Sequence, residues 1–330
     1  MQVFVIVHHC PLVAVALATT LMGLLADASI DTSVRVQAAV RLMVVADQEL
    51  DGELAGRVYS WLEQLRPARS QAEAHFLRAE LVFHTTFGDI GFAHQLAARL
   101  LESFPEPSVA EDSIRARNFV AYAFYRLRVS DRAITLFETS YTFMNTHGVF
   151  NNALYSASLR TEIAITDGDF EIASEWLAKT ESAARGGAPH QLSPSSGLYS
   201  NAGILAMMAG RYDDAERLIF APQRDFSILS AARYKAVSCA MSIRLRQLRA
   251  TNEVTEHDVA SLQDLYLKGC KLGGQDTIVE ALWCARVLAG DLDGASKFLL
   301  EYLTHHRRER STPDWSLRHT TAADDAWNAY

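Results

Sequence analysis

Proline and glycine are scarce in this chain, at 8 and 17 of 330 residues. Few positions are therefore pushed out of regular structure, which excludes a turn-rich all-β domain and suits a helical one. Cysteine is scarcer still. Cys10, Cys239, Cys270 and Cys284 are widely spaced and form no C-x-x-C pair. Neither a disulfide framework nor a zinc site built on paired thiolates is encoded, and buried free thiols in a reducing compartment are expected. Catalytic signatures are missing as well: there is no H-E-x-x-H, G-x-S-x-G, Walker loop or G-x-G-x-x-G. No acid/base pair, nucleophile or metal cluster converges, so no enzyme, cofactor or metal is expected. Positive charge is also in deficit, with 31 Lys and Arg against 39 Asp and Glu and a net charge of −8. A nucleic-acid binder advertises a basic face, and this chain has none overall. What remains is 49% hydrophobic and 21% charged residues. That composition excludes wholesale disorder, and the length fits two domains or one extended repeat array.

Charge is absent altogether from residues 1–26, and the first basic residue is Arg35. The apolar run Leu12–Ala26 admits two readings. One is a buried first helix. The other is a signal or anchor, with Ala26-Asp27-Ala28 imitating a cleavage site but no basic residue ahead of it. Pro11 and His8-His9 shorten the clean apolar stretch below the roughly 20 residues of a membrane span. Next, Asp31-Thr-Ser33 can cap a helix through Arg35 and Leu42, whose apolar positions recur at helical spacing. These two helices resemble a HEAT-type pair. A further amphipathic helix is expected over Asp51–Gln64, ended by Arg66-Pro67.

Self-similarity is the most informative feature. Gly88-Asp89-Ile90-Gly91-Phe92-Ala93, Gly168-Asp169-Phe170-Glu171-Ile172-Ala173, Gly210-Arg211-Tyr212-Asp213-Asp214-Ala215 and Gly290-Asp291-Leu292-Asp293-Gly294-Ala295 share one pattern. Arg128-Val129-Ser130-Asp131-Arg132-Ala133 is a glycine-free copy. The copies begin at 88, 128, 168, 210 and 290, and the wide last gap places a degenerate copy near 250, with its next helix delayed to about Thr255. The glycine ends one helix in a left-handed conformation, and the following Asp or Ser caps the next. The alanine lets the second helix approach the first closely. Such a unit cannot bury its apolar stripe alone and must stack on its neighbours.

This pattern resembles the tetratricopeptide repeat (TPR) family, in its long, roughly 40-residue form. The best copy is Tyr199-Ser-Asn-Ala202-Gly203-Ile-Leu-Ala206 with Gly210 to Ala215; Val120-Ala121 and Phe124 support the copy ending at Ala133. Trp283 departs from the family by standing where a small residue belongs, and the family's closing proline is absent. The resemblance implies an all-α, right-handed superhelix (solenoid) of about six helix pairs over 68–306. The HEAT-like segment 1–67 precedes it and a tail, 307–330, follows.

Other segments read more plainly. Asp167-Gly-Asp169-Phe-Glu171 imitates a calcium loop but lacks its glycine and its closing glutamate, so a helix cap is expected. Ser103-Phe-Pro-Glu-Pro107 is a rigid loop, and Arg185–Gly197 is the longest one. Thr304-His305-His306-Arg307-Arg308-Glu309-Arg310 is the most basic segment; it suits a helix end, with phosphate contact as the alternative.

In the resembled family the first helix of each pair lines the inner surface. Carried over, its offsets select Arg115, Asn118, Tyr122, Tyr125 and Arg126 in one repeat, Tyr155 and Glu162 in the next, and His75 and Arg78 in the first. Arginine and tyrosine suit recognition of a carboxylate-bearing partner, and the competing reading is that these tyrosines pack between helices. The expected function is a scaffold or adaptor, cytoplasmic, whose groove takes a protein or peptide, such as an anionic or C-terminal segment. No nucleic acid touches the array, and only residues 1–26 could meet a membrane. The alternative is the sensor fragment of a transcriptional or second-messenger regulator without its output domain, or an exported or anchored protein if residues 1–28 act as a signal.

Overall fold

The structure, a computed structural model, describes residues 11–49, 51–66, 72–126, 130–187, 198–226, 254–269 and 276–309, with most of 241–249. All regular structure among the described residues is helical, and no strand occurs there. The helices are α1 (Pro11–Ala26), α2 (Thr32–Glu49), α3 (Gly52–Leu65), α4 (Glu73–Thr86), α5 (Ile90–Ser103), α6 (Glu111–Arg126) and α7 (Ser130–Thr146). They continue as α8 (Phe150–Thr166), α9 (Phe170–Gly186), α10 (Leu198–Met208), α11 (Tyr212–Phe226), α12 (Glu256–Gly269), α13 (Asp276–Leu288) and α14 (Leu292–Glu309). The all-α expectation holds.

The turns follow the capping logic of the sequence. Asp31 accepts the Ser33 amide at 2.8 Å and so takes the role of cap ahead of α2, and Asp51 accepts Leu54 N–H at 2.9 Å. Asp89 receives Gly91 and Phe92 amides at 2.7 and 3.1 Å. Asp169 receives Ile172, and Asp291 receives Gly294. The imitation calcium loop is thus a helix cap. At the degenerate copy, Thr255 and Asp258 exchange hydrogen bonds, Asp258 N–H to Thr255 Oγ1 at 3.2 Å and Thr255 N–H to Asp258 Oδ2 at 2.8 Å, and start α12.

Gly168, Gly210 and Gly290 take φ of 76°, 71° and 79°, the left-handed conformation that favours glycine. Gly88 does not, which corrects the expectation for that turn. Its glycine is required instead by crowding: a Cβ there would lie 2.6 Å from His84 Nδ1 and 3.1 Å from Phe83 Cε1. A left-handed glycine outside the expected series, Gly148 (φ 71°), joins α7 to α8.

From α1 to α11, and again from α12 to α14, each helix packs on its neighbours along the chain. The hairpins α4/α5, α6/α7, α8/α9, α10/α11 and α13/α14 are in contact, and α2, α4, α6, α8 and α10 also touch in succession. Helices in that row are covered on two sides, so apolar residues surround them. Phe76, Ala79 and Val82 of α4 join a core that begins at Leu21, while Leu77 and Leu81 join the next, which runs to Ile163. Phe119 packs against both. Phe76, Phe124 and Phe137 are among the largest fully buried side chains, each worth about 1.5–3 kcal/mol over an exposed position. The pattern alanines are buried without exception: Ala93, Ala133, Ala173 and Ala215 are at 0% exposure and Ala295 at 2%.

The first core crosses the expected boundary at 67/68, since Leu21 and Leu25 of α1 share it with Phe87. Arg35 Nε donates to the Leu25 carbonyl at 2.9 Å and binds the end of α1 to α2. Among the described residues no helix is long and apolar enough to cross a membrane. Cys284 is a buried free thiol, while Cys10, Cys239 and Cys270 lie outside the described residues, as do His8-His9, residues 188–197 and 310–330.

Candidate functional site

The expected groove rests on α6 and α8, whose contact places their polar side chains against each other. Asn118 Nδ2 donates to Asn152 Oδ1 at 3.3 Å, and Tyr125 Oη donates to Glu162 Oε1 at 2.9 Å. Both bonds run from α6 to α8 and advance in the same direction along each helix, so the two helices lie side by side and parallel. This geometry brings Asn118, Tyr125 and Glu162 together as one row. Tyr122 belongs to it as well: its ring centroid is 6.5 Å from that of Tyr125, at an interplanar angle of 55°. Tyr122, Tyr125 and Tyr155 are all half-buried and rest on the core that runs from Leu77 to Ile163. Arg115 and Arg126 lie on α6, and their side chains fall outside the described residues.

Arg78 is placed differently from expectation. It is buried at 3% exposure, with its guanidinium carbon 5.7 Å from the Phe119 ring centroid, and belongs to the packed interior of α4 instead of an open wall. His75 reaches backward, its Nε2 3.1 Å from Gln37 Nε2 on α2. These contacts tie α4 to α6 and to α2.

Two asparagines escaped the sequence reading. Asn152 completes the pair with Asn118. Asn201, at 2% exposure, donates from Nδ2 to the Ser158 carbonyl at 2.9 Å and links α10 to α8. The adjacent pair Asn151-Asn152 in the first turn of α8 was the available signal, because Val149 occupies the cap position and these side-chain amides are left for another partner. Arg117 was missed too. It is buried at 5% and donates from Nη1 to the carbonyls of Phe104 (3.1 Å) and Pro105, which fastens the proline-rich loop to α6. Outside the row, Arg160 bonds Glu138 at 2.8 Å, and Arg160 and Lys179 both lie over the Trp176 ring.

Chemically, the row offers amide donors and acceptors, phenol hydroxyls and flat aromatic area beside one carboxylate. Such groups orient and hold a partner through hydrogen bonds and packing. Among the described residues no group of three His, Cys, Asp or Glu could hold a metal ion. No family model matches the chain, and no curated protein matches it.

Proposed function

We propose that the chain is a non-enzymatic helical-repeat protein of TPR-like type, a right-handed solenoid whose first helices form a groove for a protein or peptide partner. The observation that carries this reading is the succession α2, α4, α6, α8, α10, each touching the next. Side chains from consecutive repeats meet along it at Asn118–Asn152, Tyr125–Glu162 and Asn201–Ser158. A stack of that kind presents one continuous inner surface, which is how repeat arrays engage extended partners. Tyr122, Tyr125 and Tyr155 supply rigid aromatic area at little conformational cost, and Arg115 and Arg126 on the same face supply charge for an anionic or C-terminal segment.

The test is a Tyr122→Ala, Arg126→Ala double variant, first checked for unchanged helicity. Truncating central anchors of this type commonly costs about 2 kcal/mol or more of binding. A variant that retains every partner of the wild-type protein at equal affinity refutes the groove.

A further inference from the structure

We propose that His84 is a proton-sensitive latch on the α4–α5 turn: the turn closes only around a neutral imidazole and loosens when the ring takes a second proton. The case begins with donors and acceptors. Asp89 N–H lies 3.1 Å from His84 Nδ1. An amide can only donate, so Nδ1 must carry a lone pair. The ring's one proton is then on Nε2, which faces the Tyr59 hydroxyl oxygen at 3.2 Å. Both ring nitrogens are matched in this single tautomer, and it ties the turn to α3 through Tyr59.

Three aromatic rings hold the imidazole in place. Tyr59, Phe83 and Phe92 surround it edge to face at centroid distances of 5.4, 5.1 and 4.9 Å. Behind Nδ1 stands Gly88, where even a methyl group would come within 2.6 Å. This explains why a glycine occupies that turn without a left-handed backbone.

A second proton must go on Nδ1, because Nε2 already holds one. It then points at the Asp89 N–H, donor against donor. An acceptor in the same turn is the Asp89 carboxylate, whose Oδ1 already receives the Gly91 and Phe92 amides at 2.7 and 3.1 Å. Protonation therefore costs the turn its Asp89 N–H bond to Nδ1, and a carboxylate drawn toward the new charge holds the first amides of α5 less well. The charges facing the ring are Asp89 from the turn and Glu63 and Arg66 from α3. The two carboxylates favour the cation and Arg66 opposes it, but burial outweighs them and holds the imidazole below the ordinary histidine value.

The experiment uses the full chain. Imidazole nitrogen shifts at about pH 7.5 should report a neutral, Nε2-protonated His84. Amide exchange at Asp89, Gly91 and Phe92, corrected for intrinsic rates, should lose protection by up to about tenfold per pH unit below the ring's own titration. In His84→Asn, whose side-chain oxygen can still accept the Asp89 amide, that protection should be independent of pH. The opposite tautomer, a ring already charged at pH 7.5, or wild-type protection unchanged down to about pH 5 overturns the proposal. If the variant does not fold, the wild-type shifts and exchange decide alone.

Discussion

Replacing Ala215 by leucine is a direct test of the packing that defines the repeat. Ala215 is fully buried where α11 crosses α10, with Ala206, Met207, Ile219 and Met241 in the same cluster. The approach is close: a Cβ added at Gly203 of α10 would sit 3.1 Å from Met241 Cε, 3.2 Å from Ile219 Cγ1 and 3.7 Å from the Ala215 carbonyl oxygen. An isobutyl group in place of the Ala215 methyl finds these atoms already in contact. It gains no new burial without displacing them, so the expected loss is the overpacking cost, about 1–3 kcal/mol. Ala260→Leu on the exposed face of α12 is the control, since surface changes stay within about 0.5 kcal/mol. Denaturant titration followed by circular dichroism compares the two. If Ala215→Leu unfolds at the same midpoint as Ala260→Leu, the helix crossing is not where the alanine pattern places it.

Removing Arg117 as Arg117→Met should free the Phe104 and Pro105 carbonyls and cost about 1–3 kcal/mol, with new proteolytic cleavage between 104 and 110 as the readout. Asn201→Leu removes one donor from the buried Ser158 carbonyl and breaks the link from α10 to α8, and a loss of about 0.5–1.5 kcal/mol is expected in urea unfolding. Because burial lowers the His84 pKa in the folded chain, the unfolded chain binds the proton first. The associated stability is complete above about pH 6.5 and is lost as pH falls below it. Melting curves at a series of pH values should show that decline in the wild type and a shallower one in His84→Asn. A solenoid should also scatter as an elongated particle, with a radius of gyration well above the roughly 20 Å of a compact chain this long.

The repeating turns were legible because each part of the unit acts locally. A glycine, a capping aspartate and an alanine at fixed offsets sufficed to locate Asp169, Ala173, Asp291 and Ala295 in their roles. Gly148 carries the same left-handed signal after a helical run, but it joins one pair to the next and so stood outside the pattern searched. Gly88 misled for the opposite reason: its glycine serves a neighbouring imidazole, which only the folded turn brings near. Arg78 and Arg117 illustrate a second limit. A single arginine on a helix reads as a solvated charge, and what buries these two is the Phe119 ring for one and the loop at 104–110 for the other. The face shared by Asn118, Tyr122 and Tyr125 was readable from helical spacing. Their pairing with Asn152 and Glu162 was not, because it depends on the register between helices more than 30 residues apart in sequence.

The connections between successive pairs differ in length, and that difference has a mechanical consequence. Only residues 147–149 separate α7 from α8, and the turn is locked by Gly148 and by the Val149 N–H bond to the Met144 carbonyl at 2.8 Å. By contrast, residues 104–110 separate α5 from α6, and 187–197 separate α9 from α10. The four helices α6 to α9 therefore form a stiff girder between two longer joints. Stretched from its ends, the molecule should hold its three-residue connections longest, so that a force–extension trace retains α6 to α9 as the last segment to give way. A partner gripping Asn118, Tyr125 and Glu162 would be held by the part of the molecule that bends least.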